Sequence, residues 1–132
     1  MKYGYAFTSE QPILLATADH WIEMLTQFFQ DAGLAVLPAP SYAAARAAIE
    51  TAPISGIVAA FEWAVDAADQ IGIVSLVRNR IPTITLVQRG DGYGRMFDQI
   101  YHRPLHEYMV IPLDLEGLYA RMEKAGMIKP AI

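Results

Sequence analysis

The 132-residue sequence contains no cysteine. This absence excludes disulfide bonds, thiol catalysis and thiolate metal sites. The sequence also has no run of about 18 apolar residues without a charge, and its first 11 residues lack the apolar core of a signal peptide. We therefore expect a cytoplasmic domain with no membrane partner.

Clusters of basic residues are also missing. The 10 lysines and arginines are outnumbered by 14 acidic residues, the net charge is −4, and the arginines are scattered among acidic and apolar neighbours. An acidic surface repels phosphate backbones, so nucleic acid is not an expected partner. The 54% hydrophobic content is that of a folded chain and excludes a disordered one.

Short apolar runs alternate with stretches of helical spacing along the sequence. Asp19, Ser41 and Asp114 are suited to cap the helices, and Gly33 lies where the first helix would end. Five buried strands separated by helices indicate a parallel sheet covered on both faces. The predicted strands are 12–17, 34–38, 54–61, 83–88 and 108–111, and the predicted helices are 19–32, 41–51, 66–79, 95–101 and 114–122.

This pattern predicts an α/β fold of the flavodoxin-like, doubly wound type, with five parallel strands in the order 2-1-3-4-5. The domain is expected to span 12–132. Residues 1–11 form an N-terminal extension in which Tyr3, Tyr5 and Phe7 alternate, as in an edge strand or a surface that packs on a partner.

The stretch YMVIPLDLEGLYARM, residues 108–122, contains a short apolar run, a proline, an aspartate and then a helical pattern. With the spacing of the elements from Pro12 to Ala125, it resembles the receiver domain of bacterial response regulators. The resemblance implies a receiver-like (CheY-like) fold and a role in signal transduction. In that family, acidic residues after the first strand hold magnesium, and an aspartate at the end of the third strand accepts a phosphoryl group. A Thr or Ser ends the fourth strand, and a lysine precedes a proline after the fifth.

The residues at those positions differ from the family's pattern. The acidic pair is replaced by Thr17 and Ala18, with Asp19 one position late; the other positions hold Ala60, Val87 and Ile111, the last before Pro112. A register slip of one or two residues would bring Glu62 nearer but would not restore the lysine. The resemblance therefore implies a degenerate pseudo-receiver, which is not an enzyme and has no metal or cofactor.

A second resemblance is to the N-terminal wing domain of the pyridoxal-phosphate-dependent ornithine, lysine and arginine decarboxylases. It rests on ISGIVAAFEW, residues 54–63, and LHEYMVIPLD, residues 105–114. This alternative implies that the chain is a piece of a longer enzyme. A third hypothesis is a small-ligand or nucleotide binder that uses the glycine-rich turn GDGYG, residues 90–94, although a flexible turn is the simpler interpretation.

Two other sets of polar residues have simpler explanations than a binding site. Asp19, Glu62 and Asp66 would provide three carboxylates for a cation, but helix capping and solvent exposure account for them. His102 and His106 have the spacing of a zinc pair on a helix, but Pro104 interrupts that helix.

Aromatic and methionine side chains instead favour a protein interface. In receivers, the face formed by the fourth helix, fifth strand and fifth helix serves dimerisation and output. The resemblance therefore implies a protein partner, or a homodimer, at that face and its rim. The candidate interface residues are Trp63, Tyr93, Phe97, Tyr101, Tyr108 and Met109.

Overall fold

The computed structural model describes residues 6–17, 19–60, 81–88, 106–111 and 115–131, with the backbone alone at 19–21, 60, 87–88 and 106–111. The strands are β1 (Phe7–Thr8), β2 (Ile13–Thr17), β3 (Val36–Ala39), β4 (Gly56–Ala60), β5 (Thr83–Gln88), β6 (His106–Ile111) and β7 (Lys129–Pro130). The helices are α1 (Asp19–Asp31), α2 (Tyr42–Thr51) and α3 (Leu115–Lys124). The predicted helices at 66–79 and 95–101 lie outside the described residues.

The strands β2 to β6 form one parallel sheet in the order β3-β2-β4-β5-β6. Counted among these five strands alone, the order is 2-1-3-4-5, which confirms the predicted doubly wound α/β architecture. The central strand β2 pairs with β3 on one side and with β4 on the other. All five of its residues are fully buried.

Each face of β2 enters a separate hydrophobic core, because successive side chains of a strand point to opposite faces. Leu14 and Ala16 pack in the core that includes Ala45 and Ile49 of α2. On the other face, a larger core combines residues of β2, α1 and α3: Ile13, Leu15, Leu25, Phe29, Leu118 and Met122. The near-continuous apolar character of the predicted strands follows from this double burial.

Specific hydrogen bonds form at two of the helix ends that the sequence predicts. Ser41 precedes α2, and its hydroxyl oxygen accepts a hydrogen bond from the Ala44 N–H at 3.1 Å, which confirms the predicted cap. Helix α1 ends before Gly33, whose φ of 100° is in the left-handed region, and the Leu34 N–H donates to the Phe29 carbonyl at 3.0 Å. This satisfies a carbonyl that the end of the helix would leave free.

Several strand boundaries differ from the prediction. β4 begins at Gly56, two residues after the predicted start at 54, and β6 begins at His106, two residues before the predicted start at 108. His106 pairs with Thr83, the first residue of β5, so the ladder between these strands starts where β5 starts. The beginning of β6 is therefore set by its neighbour in the sheet, and local sequence pattern does not contain that information.

The chain ends are joined in a separate two-stranded ribbon. β1 pairs antiparallel with β7. An edge strand would instead have paired with an outer strand of the large sheet. The ring of Phe7 lies 5.0 Å from that of Tyr119 on α3, and the Phe7 N–H donates to the Ala32 carbonyl at 3.0 Å. The ribbon is thus attached to the residue that follows α1 and to the middle of α3.

Tyr119 connects α3 to α1. Its hydroxyl donates a hydrogen bond to the Phe28 carbonyl at 3.1 Å, and its ring centroid lies 6.0 Å from that of Phe29. Burial raises the pKa of Tyr119 from 10.0 to about 12, and the nearby negative charge of Asp31 adds to the increase. The protonated phenol is therefore favoured in the folded state, where it serves as a donor.

We predict that Tyr119→Phe lowers the free energy of unfolding at neutral pH by about 1 kcal/mol, the usual net value of one hydrogen bond. Because the folded pKa is the raised one, this stabilisation is complete below about pH 10 and is lost as pH rises toward 12. Urea unfolding of both proteins from pH 7 to above pH 10 measures the difference.

Tyr42→Phe is the matched control, since the Tyr42 hydroxyl has no hydrogen-bond partner among the described residues. It should leave stability nearly unchanged across the same range. A difference between wild type and Tyr119→Phe that stayed constant above pH 10 would contradict the assigned role of the phenol.

Candidate functional site

The carboxyl ends of the parallel strands meet at one edge of the large sheet, which is where ligands usually bind in open α/β folds. Backbone pairing brings one residue from each of four adjacent strands into a row at this edge. Thr17 pairs with Ala60, Ala60 with Leu86, and Leu86 with Met109. We refer to these four residues as the edge row.

The positions identified by the receiver resemblance lie at this edge. Thr17 and Ala60 are direct neighbours in the edge row, Val87 follows Leu86, and Ile111 pairs with Gln88 at the end of β5. Asp19 is the first residue of α1, immediately beyond β2. Ala18 and Pro112 lie outside the described residues. The fold therefore gathers residues from four strands that are far apart in sequence.

Thr17 is the one side chain of the edge row with an unusual environment. It is fully buried, yet its Oγ1 atom has no hydrogen-bond partner within the described part of the chain. A buried hydroxyl without a partner costs free energy, so it marks either a strained position or a place where another group binds. From the sequence alone, Thr17 was considered only as the residue that replaces an acid. The feature that could have indicated a buried hydroxyl was a polar residue at the end of the apolar run ILLAT.

The described side chains of the edge row are short or apolar and carry no charge. Thr17 offers a neutral hydroxyl, and Leu86, 1% exposed, belongs to the core packed against α1 and α3. Within the described ranges, no group of three or more histidine, aspartate or glutamate residues comes together as a metal site. The arrangement can donate or accept a hydrogen bond through Thr17 but provides no anionic nucleophile.

The other candidate residues are only partly covered by the structure. Tyr108 and Met109 lie on β6, the last strand of the large sheet in the described part of the chain. His106 is also in this strand, and its extended backbone is incompatible with the helical spacing of a zinc pair. The remaining candidates lie outside the described residues: Glu62, Trp63, Asp66, Gly90, Gly92, Tyr93, Gly94, Phe97, Tyr101 and His102.

No helix in the described ranges combines the length and the apolar character needed to cross a bilayer.

We predict that Thr17→Val raises the free energy of unfolding by about 1 kcal/mol, because it removes a desolvated hydroxyl and keeps the side-chain shape. Thr83→Val is the control with the opposite expectation. Thr83 is 2% exposed and its hydroxyl donates to the Ile81 carbonyl at 3.2 Å, so its removal should destabilise the protein. Denaturant unfolding measures both changes; equal destabilisation by the two variants would show that the Thr17 hydroxyl has a partner in solution.

No protein-family model matches the sequence, and no curated protein sequence is similar to it. Solved structures of similar fold do exist. A response regulator receiver protein from Sinorhizobium medicae WSM419 aligns over 88% of this chain and 94% of its own, with 16% identity and a TM-score of 0.72.

A second similar structure is the receiver domain of the sensor histidine kinase PA1611 from Pseudomonas aeruginosa PAO1, which has a magnesium ion coordinated in its active site cleft. It aligns over 89% of this chain and 97% of its own, with 14% identity and a TM-score of 0.71. An adenylate cyclase from Rhodopirellula baltica aligns over 87% of this chain and 86% of its own, with 15% identity and a TM-score of 0.68. At such low identities the likeness concerns the fold alone: the chain has the fold of a response-regulator receiver domain.

Proposed function

We propose that this chain is a receiver-like regulatory module that acts through protein contacts and does not accept a phosphoryl group. The observation that carries the proposal is the pairing of Thr17 with Ala60 in the edge row. These two residues occupy the ends of adjacent central strands, where the receiver resemblance expects the acidic pair and the phospho-acceptor. They provide a hydroxyl and a methyl group in place of carboxylates.

The chemistry of phosphoryl transfer explains why these replacements matter. Transfer to a carboxylate requires that carboxylate as the nucleophile, together with cationic charge on the oxygens of the phosphoryl group in transit. Magnesium, which supplies that charge in many enzymes, prefers carboxylate oxygens as its protein ligands. Neither Thr17 nor Ala60 has one, and Ile111 offers no cation, so these residues do not fit a magnesium-phosphoryl site.

The proposal does not depend on the assignment of a single position. The residues that follow Thr17 and Ala60 in the sequence are Ala18 and Phe61, which also lack carboxylates. A shift of the family alignment by one residue therefore leaves the edge without a nucleophile. Asp19 and Glu62 are the nearest acids, and each lies two positions beyond the paired residues.

A module without a phosphorylated state must act by binding. The partner we propose is a second copy of the chain or another protein, bound at the face that includes β6. Two observations support this choice: β6 is the last strand of the described sheet, and Tyr108 and Met109 lie on it. Aromatic and methionine side chains are enriched at the centres of protein interfaces. Three further aromatic residues precede β6 in the sequence: Tyr93, Phe97 and Tyr101.

The first test is incubation of the chain with acetyl phosphate and magnesium, followed by intact mass spectrometry. We predict no phosphorylated species, because no carboxylate occupies the paired positions. The magnesium-binding receiver domain from Pseudomonas aeruginosa serves as the positive control under identical conditions. Stoichiometric phosphorylation of the chain would overturn the proposal, and Asp19→Asn and Glu62→Gln would then identify the acceptor.

The second test concerns assembly. We predict that the double variant Tyr93→Ser, Tyr101→Ser weakens self-association by about tenfold or more, as expected for aromatic residues near an interface centre. Sedimentation equilibrium over a range of concentrations measures the dissociation constant.

The control is Met24→Ser, Phe28→Ser on α1, since both side chains are large, apolar and 39% exposed and lie away from the proposed face. It should leave the dissociation constant unchanged. A wild-type chain that remains monomeric up to roughly 1 mM would exclude the homodimer, and equal effects of the two double variants would exclude the proposed face.

A further inference from the structure

A cavity of about 430 Å³ lies at the amino-terminal edge of the large sheet, opposite the edge row. Its volume is within the range of small-molecule sites. The ribbon and the loops that precede β2 and β4 form its walls. The residues important for its chemistry are Thr8, Ser9, Glu10, Ser55, Met127 and Lys129.

Hydrogen bonds hold the walls of this cavity in position. The Ser9 hydroxyl donates to the Gln11 carbonyl at 2.7 Å, and the Gln11 N–H donates to the Ser55 hydroxyl oxygen at 2.8 Å. The Ser55 N–H donates to the Pro12 carbonyl at 3.0 Å. The loop before β2 and the loop before β4 are thus fastened together, which leaves the proton of the Ser55 hydroxyl available for a ligand.

Two of the lining residues, Met127 and Ile128, are apolar and only 1% exposed, because their side chains pack in the larger core. Met127 lies directly against Gly56, where a Cβ atom would come within 2.6 Å of the Met127 Sδ atom. Only glycine permits this close approach.

Two opposite charges lie at the cavity and have no ion-pair partner among the described residues. Lys129 pairs across the ribbon with Thr8, and Glu10 is two residues beyond Thr8. Both residues are exposed, and both line the cavity. A residue with a carboxylate and a residue with an ammonium group therefore border the same cavity.

We propose that this cavity binds a small zwitterion of the α-amino-acid class. The ligand's ammonium group contacts Glu10, and its carboxylate contacts Lys129 and the Ser55 hydroxyl. A ligand with a single charge can form only one of these two charge-assisted contacts and should therefore bind more weakly. Because the cavity is at the opposite edge from Thr17 and Ala60, this inference does not rest on the proposed regulatory function.

The test uses the full chain and amide chemical-shift titration with L-alanine and L-methionine up to about 10 mM, ten times a weak dissociation constant of 1 mM. We expect saturable shifts at Ser55 and Gly126 with both amino acids. Acetate and methylammonium, which each carry half of the zwitterion's charge, should produce no saturable shift. Binding of either one as strongly as L-alanine, or the absence of saturable shifts with both amino acids, would overturn the proposal.

The variants Glu10→Gln and Lys129→Met should each weaken L-methionine binding at least tenfold, and both preserve side-chain size at exposed positions. Glu123→Gln and Lys124→Met, on the exposed surface of α3 outside the cavity lining, are the matched controls and should leave the affinity unchanged. Unaltered binding by the Glu10 and Lys129 variants would refute the site. Shifts confined to Thr17 and Ala60 would refute it as well, and would place binding at the opposite edge.

Discussion

The burial of β2 on both faces is the constraint on which the rest of the structure depends. Its side chains are completely inaccessible to solvent, and each face belongs to a different hydrophobic core. Burial on this scale is the dominant favourable contribution to folding, and it requires helices on both sides of a parallel sheet. Four residues of β2 are apolar, and its one polar residue, Thr17, lies at the end of the strand.

The same constraint determines the chemistry available at the carboxyl edge. In receiver-like folds this edge is where a charged site would be built, since strand ends from distant parts of the chain converge there. Here the paired central residues are Thr17 and Ala60, and Leu86 continues the core to the end of β5. An edge made of such residues gains stability from burial and loses the carboxylates that metal binding and phosphoryl transfer require.

The amino-terminal edge has the opposite character. The ribbon of β1 and β7 brings polar and charged residues from the two ends of the chain to the side of the sheet where no receiver chemistry is expected. Phe7 and Tyr119 anchor this ribbon by aromatic contact, and the Tyr119 hydrogen bond to Phe28 links α3 with α1. The ribbon thus serves two purposes: it covers one side of the larger core, and it forms a wall of a cavity that bears both signs of charge.

The sequence by itself determined the order and type of the five strands of the large sheet and of the three described helices, whereas β7 was not predicted. Apolar runs separated by capped helices are local signals, and the Ser41 cap and the end of α1 at Gly33 need only neighbouring residues. The start of β6 at His106 and the pairing of β1 with β7 were decided by contacts between residues distant in sequence. The burial of the Thr17 hydroxyl without a partner among the described residues, and the shared cavity lining of Glu10 and Lys129, also arise only in the folded chain. The local sequence pattern indicates which residues prefer to be buried. The residues they contact depend on long-range packing, and a short stretch of sequence does not contain that information.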